Sequence, residues 1–259
     1  MTFLPRPDAA ITAGWPALVE ELDRWAEDGR VAPLWWRDDD AVTATPPLDR
    51  LLQLATDVPL HIAVIPKPAR PALAAALADQ ANVAVLQHGW EHADRATEGK
   101  KSEYPATRDV DDVAAEIGAG SRHLVELFGR RALPVFVPPW NRISETLLGA
   151  LGKAGIAALS TIARRSRPLL PRNIRCIDVH VDVVAWRDGG GFIGETLALG
   201  ALVEHLGAAR VAPAASHPVG ILTHHLVMDA ATSVFLARLL EVTRTHDAAR
   251  WMSIAELVR

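Results

Sequence analysis

The chain has 259 residues, 49% of them hydrophobic and 22% charged, a composition that allows one large buried core; a single domain over 1–259 is expected. Its net charge of −4 argues against nucleic acid as the main partner, because phosphate binding relies on a face rich in lysine and arginine. The N-terminus has no basic start followed by an apolar stretch, and no segment approaches about 18 uninterrupted apolar residues, so neither a secretory signal nor a membrane span is expected and the cytoplasm is the expected location.

Helical and extended patterns alternate along the chain. A first helix is predicted over Trp15 to Glu27, where Leu18, Leu22 and Trp25 share a face. Ala32 to Arg37 reads as a strand running into Asp38, Asp39 and Asp40. A helix over Leu48 to Thr56 follows the Pro46-Pro47 start signal, and Leu60 to Ile65 is a second strand. Pro71 to Gln80 reads as a helix with proline in its first turn, and Val83 to Gln87 as a strand that delivers His88. The polar stretch Glu91 to Arg108 has the length of a functional loop. Asp111 to Phe128 is helical, Leu133 to Val137 is a strand stopped by Pro138-Pro139, Ser144 caps a helix reaching Lys153, and Ile156 to Ser160 is a strand. Cys176 to Trp186 is extended and ends before the Gly189-Gly190-Gly191 turn. A helix (Thr196 to Leu206), a strand (Val219 to Thr223), a helix (Ala230 to Thr243) and a last short strand and half-turn (Trp251 to Val258) complete the pattern. Such alternation predicts a parallel α/β unit, and polar residues placed after several different strands favour a barrel over an open sheet. Glycine fingerprints for nucleotide phosphates are absent. Cys176, the lone cysteine, reads as a small core residue, and Arg164, Arg165 and Arg167 as a solvated loop.

Three clusters carry candidate chemistry. Asp38, Asp39 and Asp40 at a strand end repel one another; Arg37 offsets one charge, and either a divalent cation or solvation in a capped turn offsets the rest. His88 and His92, four residues apart, present both imidazoles to one ion if they lie on one helical turn, with Gly89 keeping the approach open. Strand alternation puts Leu222 and His224 on one face and Thr223 and His225 on the other, so that an inward Leu222 brings His224 into the interior, as an acid catalyst or as a satisfied buried histidine. Phe136 to Asn141 and Asp182 to Arg187 end two further strands, with Trp140 and Trp186 as candidate substrate platforms or core fillers.

In this order the segments resemble the five motifs of the polysaccharide deacetylase (NodB-homology) superfamily, in the branch that begins R-x-D-D and carries H-G-W-x-H; the resemblance spans Leu34 to His225. It implies a deformed (β/α) barrel and a deacetylase of N- or O-acylated carbohydrate-like molecules. The implied metal ligands are Asp40, His88 and His92. Asp39 would be the general base, His224 the general acid, and Trp140, Asn141 and Trp186 would meet substrate. A one-residue shift would make Asp38 the base and Asp39 the ligand. The implied cofactor is one divalent ion, zinc first, with cobalt, nickel, manganese or iron compatible. The third motif of the family opens with an arginine, and Val137 stands there; Arg37 and Arg187 are the candidate replacements. Hydrolysis of a non-sugar amide on the same site and a non-catalytic glycan-binding barrel are the alternatives.

Overall fold

The computed structural model describes residues 13–163, 169–212 and 218–258. The N-terminal segment before residue 13 and the Arg164, Arg165 and Arg167 cluster lie outside them. Among the described residues, eight α-helices and nine strands alternate. The strands are β1 (Ala32–Ala41), β2 (Leu60–Val64), β3 (Val83–His88), β4 (Ala132–Val137), β5 (Ala158–Leu159), β6 (Arg175–Cys176), β7 (Val181–Asp182), β8 (Val219–Thr223) and β9 (Ala249–Trp251). The helices are α1 (Trp15–Glu27), α2 (Pro46–Leu54), α3 (Pro71–Leu77), α4 (Val110–Phe128), α5 (Leu148–Lys153), α6 (Glu195–Val211), α7 (Ala230–Thr245) and α8 (Ala255–Val258).

The strands form one parallel sheet in the order β6-β5-β4-β3-β2-β1-β8-β7, and β9 pairs with the first residues of β1. Its edge strands, β6 and β7, are neighbours in sequence. The link between them bonds both sides, with Val179 N–H to Thr161 O at 2.8 Å and His180 N–H to Gly220 O at 2.7 Å. The sheet therefore curls into the expected deformed (β/α) barrel.

Alternation along each strand sorts residues between a lumen and a helix-covered outside. Trp35, Ala63, Leu86, Val135, Val137, Ile177, Val179 and Leu222 fill the lumen, whereas Leu34, Trp36, Ile62, Val85 and Ile221 pack outward. One end of the lumen is closed by the segment after β9: Ile254 joins the lumen cluster, and its N–H donates to His61 Nε2 at 3.0 Å. The other end, where the strands finish, carries the polar residues.

Several elements differ from the sequence expectation for local reasons. β1 continues through the three aspartates to Ala41, because Asp38 is paired and buried instead of solvated. Thr45 caps α2 from Leu48 N–H, so that helix begins at Pro46. Ser144 caps a 3-10 turn, Glu145–Leu147, that precedes α5. The stretch from Cys176 to Trp186 forms two-residue strands and ends in a 3-10 turn over Trp186–Asp188.

Candidate metal centre and active site

The acidic triplet divides among three environments. On β1, Trp35, Arg37 and Asp39 share the lumen face, while Trp36 and Asp38 face away. Asp38 is fully buried; it takes Thr223 Oγ1–H at 2.6 Å and pairs with His225 Nδ1 at 2.5 Å. Trp36 Nε1–H in turn donates to Thr223 Oγ1 at 2.9 Å. The Asp38 carboxylate raises His225 against the opposing pull of burial.

Asp39 meets the guanidinium of Arg37, with Nε 2.9 Å from Oδ1 and Nη2 3.0 Å from Oδ2. Arg37 is wholly buried, and its remaining donors reach Ser160 Oγ (2.8 Å) and Asn141 Oδ1 (2.7 Å). Arg187 is exposed, so Arg37 is the guanidinium that touches Asp39. The Asn141 carboxamide is accordingly engaged as a strut behind Arg37.

Two successive residues of a regular strand cannot both project into the lumen. Asp40 does so through a left-handed backbone, φ 74°, and the β1–β2 register shifts between Asp38 and Ala41. Its Oδ1 lies 3.1 Å from His88 Nε2 and 3.4 Å from His92 Nε2. Burial opposes the Asp40 charge, but the His88 hydrogen bond and the surrounding imidazoles hold the carboxyl well below the usual range.

His88 ends β3 on the lumen face, two residues after Leu86, while Gln87 turns outward to Ile117 O on α4 at 3.0 Å. The His88 Nδ1–H donates to Val137 O at 3.0 Å, which leaves the Nε2 lone pair aimed at Asp40. A neutral imidazole lone pair and a carboxylate oxygen at 3.1 Å repel unless a cation or a proton lies between them. Burial alone would lower His88, but Asp39 and Asp40 override it and raise the imidazole. Burial, aided by the neighbouring His88, pushes His92 down. Asp40, His88 and His92 offer three ligand atoms within 4.8 Å of one another, and this donor set fits a divalent ion.

The turn that carries His92 is not the helical one expected. Gly89 (φ 60°) and His92 (φ 59°) are left-handed, and the buried Glu103 carboxylate accepts Trp90 N–H at 3.2 Å and Glu91 N–H at 2.8 Å. Burial raises Glu103 despite these donors. A Cβ on Gly89 would stand 2.2 Å from Glu103 Oε2 and 2.6 Å from Pro139, so glycine is required by packing and by φ, beyond open access to an ion. The sequence offered no signal for Glu103, one acid within the polar stretch 91–108.

Trp140 and Asn141 both have φ 55°, and the Trp140 ring lies 4.3 Å from that of His92. The four non-glycine residues with positive φ among those described are Asp40, His92, Trp140 and Asn141, all at this end of the barrel. Strain of about 1–3 kcal/mol per residue concentrates where chemistry is placed.

His224 extends from β8 beyond the inward Leu222, its Nε2 4.0 Å from Asp39 Oδ2. Trp186 packs edge-on against it (4.7 Å, 85°) and donates its Nε1–H to Asp182 Oδ2 at 2.9 Å. Asp182 Oδ1 accepts Val184 N–H at 3.0 Å, and burial lifts Asp182 above the usual carboxylate range. All eight sequence-predicted site residues thus lie at one end of the barrel. Trp140, Asn141 and Trp186 touch His92, Arg37 and His224 respectively.

No family model matches the chain, and no curated protein matches it by sequence. Solved structures do. A Mycobacterium smegmatis protein assigned to the polysaccharide deacetylases superposes with TM-score 0.62 at 16% identity, over 96% of this chain and 92% of that one. The Bc1960 peptidoglycan N-acetylglucosamine deacetylase, in complex with an N-hydroxy benzamide, gives 0.57 at 16% identity over 90% and 94%. A family 4 acetyl xylan esterase from Clostridium thermocellum, solved with cobalt, gives 0.51 at 14% over 87% and 89%. At these identities the likeness is one of fold: this chain has the curled (β/α) barrel found in polysaccharide deacetylases and family 4 carbohydrate esterases.

Proposed function

We propose that the protein is a metal-dependent hydrolase of the polysaccharide deacetylase superfamily that removes an acetyl group from an N- or O-acetylated carbohydrate-like substrate. The observation that carries this reading is the left-handed turn at Asp40. It separates two adjacent carboxylates into one held by a guanidinium and one facing two imidazoles, within a single cleft. In this reading Asp40, His88 and His92 hold the ion, and zinc suits two imidazoles and a carboxylate, with cobalt, nickel, manganese and iron compatible. The bound ion would polarise the acyl carbonyl and acidify the attacking water.

The remaining roles belong to the chain. Asp39 accepts the proton from that water, oriented by Arg37, which Asn141 and Ser160 hold in turn. The backbone N–H of Trp140, presented by its left-handed turn, donates to the oxyanion. His224 delivers a proton to the departing nitrogen or oxygen. Its closeness to Asp39 supports a base and an acid serving one reacting centre. Trp140 and Trp186 flank the sugar. The solved acetyl xylan esterase with cobalt and the N-acetylglucosamine deacetylase of the same fold support an acylated sugar as substrate.

The test is elemental analysis with turnover. Wild type is expected to carry about one equivalent of divalent metal, lost in His88→Ala/His92→Ala. Asp39→Asn is expected to retain the metal and lose about 10³-fold in acetate release from acetylated amino sugars. A metal-free wild type after zinc or cobalt addition would sink the mechanism.

A further inference from the structure

The polar stretch from Glu91 to Arg108 folds back on itself. Arg95 N–H donates to Ser102 O at 2.9 Å, and Asp94 Oδ1 accepts Ser102 N–H at 3.1 Å. Tyr104, fully buried, packs edge-on against Phe136 of β4 (5.3 Å, 73°), and its carbonyl accepts Ser144 N–H at 2.9 Å. Glu103 is thereby fixed between a closed loop and the core, and it is itself fully buried.

A buried carboxylate needs compensation. Among the described residues no lysine or arginine pairs with the Glu103 carboxylate. The Arg108 guanidinium forks onto Glu116 at 2.8 and 3.1 Å, and its Nη1 reaches the Glu103 backbone carbonyl at 3.4 Å. Backbone amides compensate instead. Trp90 N–H and Glu91 N–H converge on the two carboxylate oxygens, and the Ala93 amide, on the far side of His92, also favours the charge. Successive N–H groups turned to one side form a concave anion site, a backbone nest. In this turn the anion is the chain's own carboxylate.

The three candidate ligands are held differently. Asp40 belongs to β1 and His88 to β3, with the His88 ring fixed on Val137 O. His92 lies beyond any strand, at φ 59°, and its position depends on the turn. Without an anion the converging amides lose their acceptor and the left-handed turn loses its support. Resting on Asp40, His88 and His92 as the ion's ligands, proposed above, we infer that Glu103 is a positioning residue: its charge sets the turn that holds His92 in place before the ion arrives. A preset ligand lowers the ordering cost of binding, so Glu103 acts on metal affinity through His92, from outside the ligand set.

The test is calorimetric titration of zinc into metal-free protein, with amide exchange followed by NMR in the same metal-free state. Glu103→Gln keeps the shape but places an NH2 where one amide needs an acceptor. It is expected to bind zinc about 10–100-fold more weakly than wild type and to speed exchange at Trp90 and Glu91 by at least about tenfold, with β3 unaffected. Glu103→Asp, which keeps the charge on a shorter arm, is expected to lose less affinity. Glu116→Gln loses the Arg108 fork but leaves the nest intact, and its zinc affinity is expected to stay within about twofold of wild type. In a His92→Ala background, Glu103→Gln is expected to change the affinity by less than about twofold. An equal loss with and without His92, or unchanged exchange at Trp90 and Glu91 in Glu103→Gln, overturns the inference. Zinc bound equally by wild type and Glu103→Gln removes the role of Glu103 and leaves the ion ligands standing. A wild type that binds neither zinc nor cobalt removes the ion ligands, and the inference with them.

Discussion

Two buried histidines of the same barrel lumen, His61 near its closed end and His88 at its open end, begin alike and finish differently. Each donates a ring N–H from Nδ1 to a backbone carbonyl of a neighbouring strand, His61 to Trp36 O at 2.8 Å and His88 to Val137 O at 3.0 Å. The other nitrogen decides the role. His61 Nε2 accepts Ile254 N–H, so both ring nitrogens are satisfied by backbone and the imidazole stays neutral. His88 Nε2 faces the Asp40 carboxylate, an arrangement complete only with a positive charge between them. A lumen histidine is thus structural or chemical according to one partner, the backbone of the segment after β9 for His61 and the end of β1 for His88.

Exchanging each ring for an amide breaks the comparison most strongly. His88→Gln is expected to weaken zinc binding by at least about 100-fold and to abolish acetate release. His61→Gln is expected to keep one equivalent of metal while losing thermal stability. Metal titration and thermal unfolding on the same two variants separate the cases, and a His61→Gln protein that folds but cannot hold metal would contradict the assignment.

The next effect lies between the two histidines. Removing one partner of a buried ion pair costs about 3–5 kcal/mol, so Arg37→Met is expected to lose that much by urea unfolding, because Asp39 is left charged without its fork. Arg37→Lys restores the charge but not the paired geometry toward Asp39, Asn141 and Ser160. It is expected to recover stability more fully than kcat. Equal recovery of both would make Arg37 a purely structural cation.

Acid sharpens the contrast further. Complete burial pushes His61 down to about 4 against an ordinary value of 6.5, with the Trp36 carbonyl opposing. The folded pKa lies below the unfolded one, so the unfolded chain takes up the proton first. The stabilising contribution of neutral His61 is therefore whole above pH 6.5 and is lost as pH falls toward 4, by up to about 3 kcal/mol. Urea unfolding between pH 7 and pH 4 should be steeper in pH for wild type than for His61→Gln; parallel curves would mean the imidazole does not carry the effect.

How legible this was in the sequence depends on the range of the interaction. Period-two alternation over Leu34 to Asp40 is local, and it places Arg37 and Asp39 on one face; with strand ends rich in polar residues it also suffices for the barrel. The spacing of His88 and His92 identified the pair but not its backbone. The left-handed turn depends on Glu103, which carries no pattern of its own, and on Pro139, whose segment is marked in the sequence but whose approach to Gly89 is not. The positive φ at Asp40 was likewise invisible, because nothing in Asp-Asp-Asp marks which residue breaks the strand.

The smallest expected effect tests whether the closed end is independent of the open one. Ile254 is fully buried in the lumen cluster with Trp35, Ala63 and Leu86, and its N–H is the donor that fixes His61. Ile254→Val removes one methylene from that cluster and leaves the backbone donor in place, so a loss of about 1 kcal/mol is expected in urea unfolding. Ile254 shares its cluster with Val137 and Leu222, and a close-packed cluster absorbs a one-methylene change with little movement. Zinc affinity and kcat of Ile254→Val should then equal those of wild type. A change of more than about threefold in either would mean that the two ends of the lumen are mechanically coupled, with the plug helping to set the positions of His88 and Asp39.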